Sequence, residues 1–130
     1  DVLQAARLAD GRAVYEAAAD LVSSFNDKAL GESGFGSIGA VVGATQADAA
    51  RALRQRMPHC LFLVPGFGAQ GGSLDTVRAC FDSRGRGAIV NSSRAVMYPD
   101  RFGSPRRPAT KDGVREAARD FVGAVRSALA

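Results

Sequence analysis

Long apolar runs, grouped metal ligands and aromatic residues interleaved with basic ones are all scarce in this 130-residue chain, and each scarcity excludes something. No apolar run approaches the roughly 18 residues a spanning helix needs, and no basic-then-apolar leader precedes the first pattern, so no membrane partner is expected. The two cysteines, Cys60 and Cys80, have no second Cys or His at metal-ligand spacing, and each sits beside an apolar run. Buried free thiols in a reducing compartment are expected, hence a cytoplasmic protein without a metal site. The single histidine, His59, follows Pro58 and reads as an exposed loop residue rather than a ligand or a base. A formal charge of +4 and a pI near 9.7 invite a nucleic-acid reading, with basic clusters at Arg84-Gly-Arg86 and at Arg101 with Arg106-Arg107. These residues are dispersed among acids, without the interleaved aromatics that single-strand stacking uses, so no nucleic-acid partner is expected. No initiator Met precedes Asp1, which is compatible with a trimmed product or a piece of a longer chain.

The apolar share of 46% is ordinary for one globular domain, and it is patterned. From Arg12 to Phe25 apolar residues fall at Val14, Ala17, Ala18, Leu21, Val22 and Phe25, the spacing of a helix with one buried face, after the Asp10-Gly11 punctuation. The segment from Asn26 to Gly39 is rich in Gly, Ser and charge and reads as a flexible connection. A β-branched run from Ile38 to Ala44 predicts a strand, and Thr45 reads as the cap of a helix whose buried stripe is Ala49, Leu53 and Met57, ended by Pro58. Leu61 to Val64 predicts a second strand. Ser73 to Phe81 predicts a helix with Leu74, Val77 and Phe81 on one face, and Ala88 to Val90 a third strand that ends in a loop, Asn91-Ser-Ser-Arg94. After a Pro- and Arg-rich loop from Pro99 to Pro108, Thr110 caps a last helix with Val114, Ala117, Ala118, Phe121, Val125 and Leu129 on its inner side.

Strands alternating with helices, each strand apolar throughout, imply a parallel sheet buried on both faces. In such sheets chemistry collects at the strand C-termini, here Gly43-Ala-Thr45, Pro65 to Gly72, and Asn91 to Arg94. The second of these is the most distinctive. Glycines at 66, 68, 71 and 72 let backbone approach a ligand closely, and Gln70 sets a two-ended hydrogen-bonding group among them. Three strands with about four helices make an awkward complete fold with two open edges, Val41 to Ala44 forming one of them. The expectation is α/β, the C-terminal portion of a (β/α)8 TIM barrel, in which a phosphate site is frequently built from the loops after strands seven and eight. Arg94 then supplies the forked charge for a phosphate, with the amides of Ser93, Arg94 and the glycine loop as neutral donors.

The segments Val41-Val-Gly-Ala-Thr45, Val64-Pro-Gly-Phe-Gly-Ala-Gln-Gly-Gly72 and Gly85-Arg-Gly-Ala-Ile-Val-Asn-Ser-Ser-Arg-Ala95, in this order and spacing, resemble the C-terminal part of orotidine 5'-phosphate decarboxylase, in the bacterial subgroup with the Asn-Ser-Ser-Arg ending. The similarity runs from about Leu8 to the end. It implies that residues 1–130 are part of a single ribulose-phosphate-binding-type barrel that converts orotidine 5'-monophosphate to UMP and CO2 in pyrimidine synthesis. It implies no cofactor, and a homodimer when full length. Substrate-binding residues carried over by the resemblance are Pro65 beside the reacting carbon, Gly68 and Gln70 in the closing loop, and Ser93 and Arg94 at the phosphate. Two alternatives stand beside it: another phosphate-binding barrel, such as a sugar-phosphate epimerase or isomerase, and a free-standing half-barrel that binds phosphorylated ligands without catalysis. The family's Asp-x-Lys-x-x-Asp motif, whose lysine protonates the carbanion, does not occur here; Asp27-Lys28 and Lys111-Asp112 are adjacent pairs. These 130 residues by themselves are therefore expected to turn over no orotidine 5'-monophosphate. A decarboxylation assay in which activity survives purification would overturn this.

Overall fold

The computed structural model describes residues 6–26, 28, 30–43, 45–67 and 72–130. Its elements run α1 (Val14–Asn26), β1 (Ala40–Val41), α2 (Ala47–Arg56), β2 (Phe62–Val64), α3 (Leu74–Ala79), β3 (Ala88–Val90), α4 (Ser93–Met97), α5 (Pro99–Phe102) and α6 (Lys111–Leu129). The strands form one parallel sheet in the order β1-β2-β3. Strand–helix alternation and the parallel sheet are as the sequence predicts. The helices number six among the described residues rather than four, because Ser93 to Met97 and Pro99 to Phe102 coil into short helices where the sequence predicts loops. Pro99 stands at the first position of α5, where its missing N–H costs nothing.

Two expected caps meet different fates. Thr110 accepts a hydrogen bond from the Gly113 amide at 3.1 Å and starts α6. Thr45 does not cap α2; Gln46 is the extended residue before that helix, and no side chain caps it. Ser73 caps α3 by accepting from the Thr76 amide. Glu16 reaches back to the Ala13 amide at 2.7 Å and closes the start of α1, the half of a capping box that a Glu supplies.

The core is built between one face of the sheet and the helices. Ala19, Val42, Ala50, Met57, Cys60, Phe62, Val64 and Cys80 form it, and fully burying Phe62 or Val64 contributes about 1.5–3 kcal/mol each. The opposite face is open. Val41, Leu63 and Ile89 lie side by side in register across the three strands and are 71, 42 and 59% exposed, so burial on both faces does not hold for this sheet. The strands alternate in and out with period two, and only the helix side is covered. Helix α1 shows the same one-sidedness: it buries Ala19, Ser23 and Asn26, whereas Leu21 and Phe25 of the expected apolar face are exposed. In α2 the buried line is Ala50, Arg54 and Met57 with Leu53 beside it, a small rotation from the expected stripe. In α3 it is Thr76 and Val77 followed by Cys80, in place of Leu74 and Phe81. The inner side of α6 follows expectation, with Ala117 buried and Val114, Ala118, Phe121, Val125 and Leu129 half-buried, and Gly113 and Ala128 are buried beside them.

The glycine-rich connection after α1 is pinned rather than free. Asn26 is buried; its amide donates to the Ile38 carbonyl at 2.6 Å and to Cys60 Sγ, and its oxygen accepts from the Ile38 amide. His59 sits in a loop, as expected, with Nδ1 3.0 Å from the Gly34 carbonyl oxygen.

Arg54 is the residue that composition and spacing do not single out. Its Nε donates to the Cys80 carbonyl (2.9 Å), Nη1 to the Met57 and Cys60 carbonyls (3.0 and 2.9 Å), and Nη2 to the Gly87 carbonyl (2.8 Å). The guanidinium carbon lies 3.6 Å from the centre of the Phe62 ring. Burial lowers its pKa, while the four carbonyls satisfy its fork at the lower ends of β2 and β3, away from the glycine loop. Arg54→Met, which strands these carbonyls, should lower the unfolding free energy by at least about 3 kcal/mol, and Arg54→Lys should recover little because an ammonium cannot span the four acceptors. Urea denaturation of the three proteins measures this.

Both cysteines are free and buried, as the sequence predicts. Burial pushes the Cys80 thiol from its ordinary 9.0 up to about 11, against the smaller opposing pull of the Arg54 charge. A raised thiol pKa favours the folded state while the unfolded thiol is still protonated. That contribution is fully present below pH 9.0 and is lost as the pH rises towards about 11. Cys80→Ser should flatten the decline of stability between these limits, read by thermal melts across the alkaline range.

Candidate functional site

The site lies at the C-terminal ends of β2 and β3. After Val64 the chain turns through Pro65 and Gly66, whose φ of 90° lies in the left-handed region that favours glycine. The base of the loop is closed by a hydrogen bond from the Gly72 amide to the Gly66 carbonyl at 3.3 Å, and Ser73 leads directly into α3. On the neighbouring strand the Asn91 amide extends the ladder by donating to the Val64 carbonyl at 3.2 Å. Ser93 and Arg94 then form the first turn of α4.

Pro65, Gly66 and Phe67 on one side and Asn91 to Arg94 on the other enclose a hollow of about 200 Å³. The structure thus brings together Pro65, Ser93 and Arg94 of the expected site residues. Gly68 and Gln70 lie outside the described residues. The Arg94 side chain is exposed, its guanidinium carbon 5.7 Å from the centre of the Phe102 ring. Among the described residues it has no carboxylate partner, whereas Arg12, Arg56 and Arg107 are each held by two acids. Among the described residues no Asp or Glu lines the hollow. A forked cation facing a small space without acids suits an oxyanion such as a phosphate, which it can grip through two parallel N–H donors.

Sequence reasoning missed three contributors. Phe102 lies beside the Arg94 guanidinium from eight residues away, across the break between α4 and α5. Phe67 packs its ring against Phe121 of α6, with centroids 5.9 Å apart. Ser92 donates from Oγ to the Phe67 carbonyl at 3.2 Å. Position inside the Asn-Ser-Ser-Arg run is the one available signal, and it points to Ser92 without telling its partner. Among the described residues no three His, Cys, Asp or Glu side chains gather as a metal site, and no helix is long and apolar enough to cross a membrane.

No family model matches the chain. It is 52% identical over 89 residues to an orotidine 5'-phosphate decarboxylase of Rhodopirellula baltica, covering 68% of this chain and 30% of that protein. It is 40% identical over 91 residues to one of Caldicellulosiruptor bescii, covering 70% and 30%. In structure it superposes on the OMP decarboxylase of Leishmania donovani with a TM-score of 0.71 at 31% identity, covering 98% of this chain and 42% of that one. The UMP synthase of the same organism gives a TM-score of 0.67 at 34% identity, over 95% of this chain and 24% of that one. The chain spans about 30% of the length of the curated relatives it matches. The three-stranded sheet with its flanking helices is part of a TIM barrel, as the sequence predicts. By sequence and by fold, this chain is related to the orotidine 5'-phosphate decarboxylases and corresponds to a C-terminal part of their barrel.

Proposed function

We propose that the protein carrying this chain is an orotidine 5'-phosphate decarboxylase, a carboxy-lyase that converts orotidine 5'-monophosphate to UMP and CO2, and that these residues supply its phosphate- and nucleotide-binding loops. The observation that carries this reading is the hollow at the ends of two adjacent barrel strands, where among the described residues no acid lines the space and none pairs with the Arg94 guanidinium. Arg94 holds the phosphate dianion, Ser93 lies beside it, Gly68 and Gln70 close over the ligand, and Pro65 borders the space that the pyrimidine enters. The segments forming this site are those that resemble the family. The relatives named above do not favour a sugar-phosphate isomerase or a non-catalytic half-barrel.

Residues 1–130 belong in this reading to one barrel domain. The lysine and carboxylates of the proton-transfer motif come from the remainder of that domain, and the whole protein works as a cytoplasmic homodimer without metal or organic cofactor. The part played by this chain is remote binding: attraction between phosphate and Arg94 holds the nucleotide while chemistry occurs at the base, and interactions that tighten as the loops close lower the barrier there.

Arg94→Ala in the protein that carries this chain together with the other barrel strands should weaken UMP binding by about 1.5–3 kcal/mol, roughly ten- to hundred-fold, the range for hydrogen bonds to a charged group. Turnover of the phosphorylated substrate should fall likewise, and an analogue lacking the phosphate should be affected far less. Equal losses on both substrates would make Arg94 a structural residue and the phosphate assignment wrong.

A further inference from the structure

We propose that Ser92 is a positioning residue for the phosphate site, holding the loop after β2 at a set distance from Arg94; this inference rests on the phosphate reading above. The β2–β3 ladder ends with the Asn91 amide on the Val64 carbonyl. One residue later a side chain takes over. Ser92 Oγ donates to the Phe67 carbonyl at 3.2 Å, and among the described residues this is the one polar bond joining the two loops beyond the ladder.

The bond also has a place in the fold that packing alone does not explain. Ser92 and Phe67 line both the polar hollow and an apolar cavity of about 220 Å³ behind it, bordered by Val96, Phe102 and Phe121. Their contact is the wall between the two spaces. On the side of that cavity the Phe67 ring packs against Phe121 of α6. The hydroxyl supplies a directional restraint that this packing lacks. Arg94 follows Ser92 by two residues in the same short turn, so a shift of Phe67 relative to Ser92 is a shift of the Pro65 to Phe67 side of the hollow relative to the guanidinium. A phosphate held in that hollow senses the spacing, and a ligand without a phosphate does not.

The test compares UMP with uridine by calorimetry on the protein that carries this chain with the rest of its barrel. Ser92→Ala should weaken UMP roughly three- to tenfold, the scale of one neutral hydrogen bond, leave uridine unchanged and leave the melting temperature in place. Ser92→Thr, which keeps the hydroxyl, should restore UMP affinity. The positioning role is overturned if Ser92→Ala leaves UMP binding intact, if it weakens UMP and uridine alike, or if the threonine variant fails to restore affinity. Arg94→Ala, measured in parallel, separates the two ideas. If it collapses the preference for UMP over uridine while Ser92→Ala does not, only the role of Ser92 is wrong; if it leaves the preference intact, the phosphate reading fails and the inference falls with it.

Discussion

One buried guanidinium holds the lower end of the sheet together. Arg54 sits on α2, yet its four acceptors are the carbonyls of Met57 after that helix, Cys60 before β2, Cys80 after α3 and Gly87 before β3. Withdrawing a charge from water is costly, and burial does lower the Arg54 pKa. Four oriented carbonyls and the face of Phe62 offset that cost, and because every acceptor is backbone, the chain cannot shift at any of these points without breaking a bond. Strands β2 and β3 are thereby fixed at one end, and the loops at their other ends inherit the separation.

The sheet is finished on one side only. Val41, Leu63 and Ile89 form a row of branched apolar side chains facing away from the helices, and Leu21 and Phe25 do the same on α1. Parallel sheets are ordinarily covered on both faces, and TIM barrels fill their interior with layers of just such residues contributed by several strands. The row matches a barrel interior seen from the inside, in keeping with the 42% of the Leishmania donovani decarboxylase chain that this chain covers.

Charge is arranged with the same economy. Arg56 bridges Glu16 and Asp20 between α1 and α2, and Arg107 binds Glu116 and Asp120 on α6 and so ties down the loop after α5. Several of the chain's arginines are therefore engaged in structural ion pairs. Arg94 has no acid partner among the described residues and lines the hollow at the ends of β2 and β3, and that position marks the site more sharply than the net charge does.

Much of the architecture is legible in the sequence because it follows from local rules. The apolar runs at Phe62 to Val64 and Ala88 to Val90, the helix beginning near Ser73, the Thr110 cap and the turn at Gly66 depend on neighbours within a few residues, and they hold. The Asn-Ser-Ser-Arg ending likewise locates Arg94 from the order of residues alone. Where sequence reasoning fails is in saying which side of an element is inside. The exposed Leu21 and Phe25, the rotated stripes of α2 and α3, and the open row on the sheet depend on what packs against each face, and periodicity cannot name the partner. Arg54 shows this most clearly, since an arginine on an amphipathic helix reads as solvent-facing until carbonyls from 3 to 33 residues away converge on it. The order of elements and the chemistry of the loops were thus determined by the sequence itself through short-range sterics and hydrogen bonding. The burial of Arg54, the open face and the Ser92 to Phe67 bond were decided by the tertiary structure, because each is a contact between segments whose mutual approach no local spacing encodes.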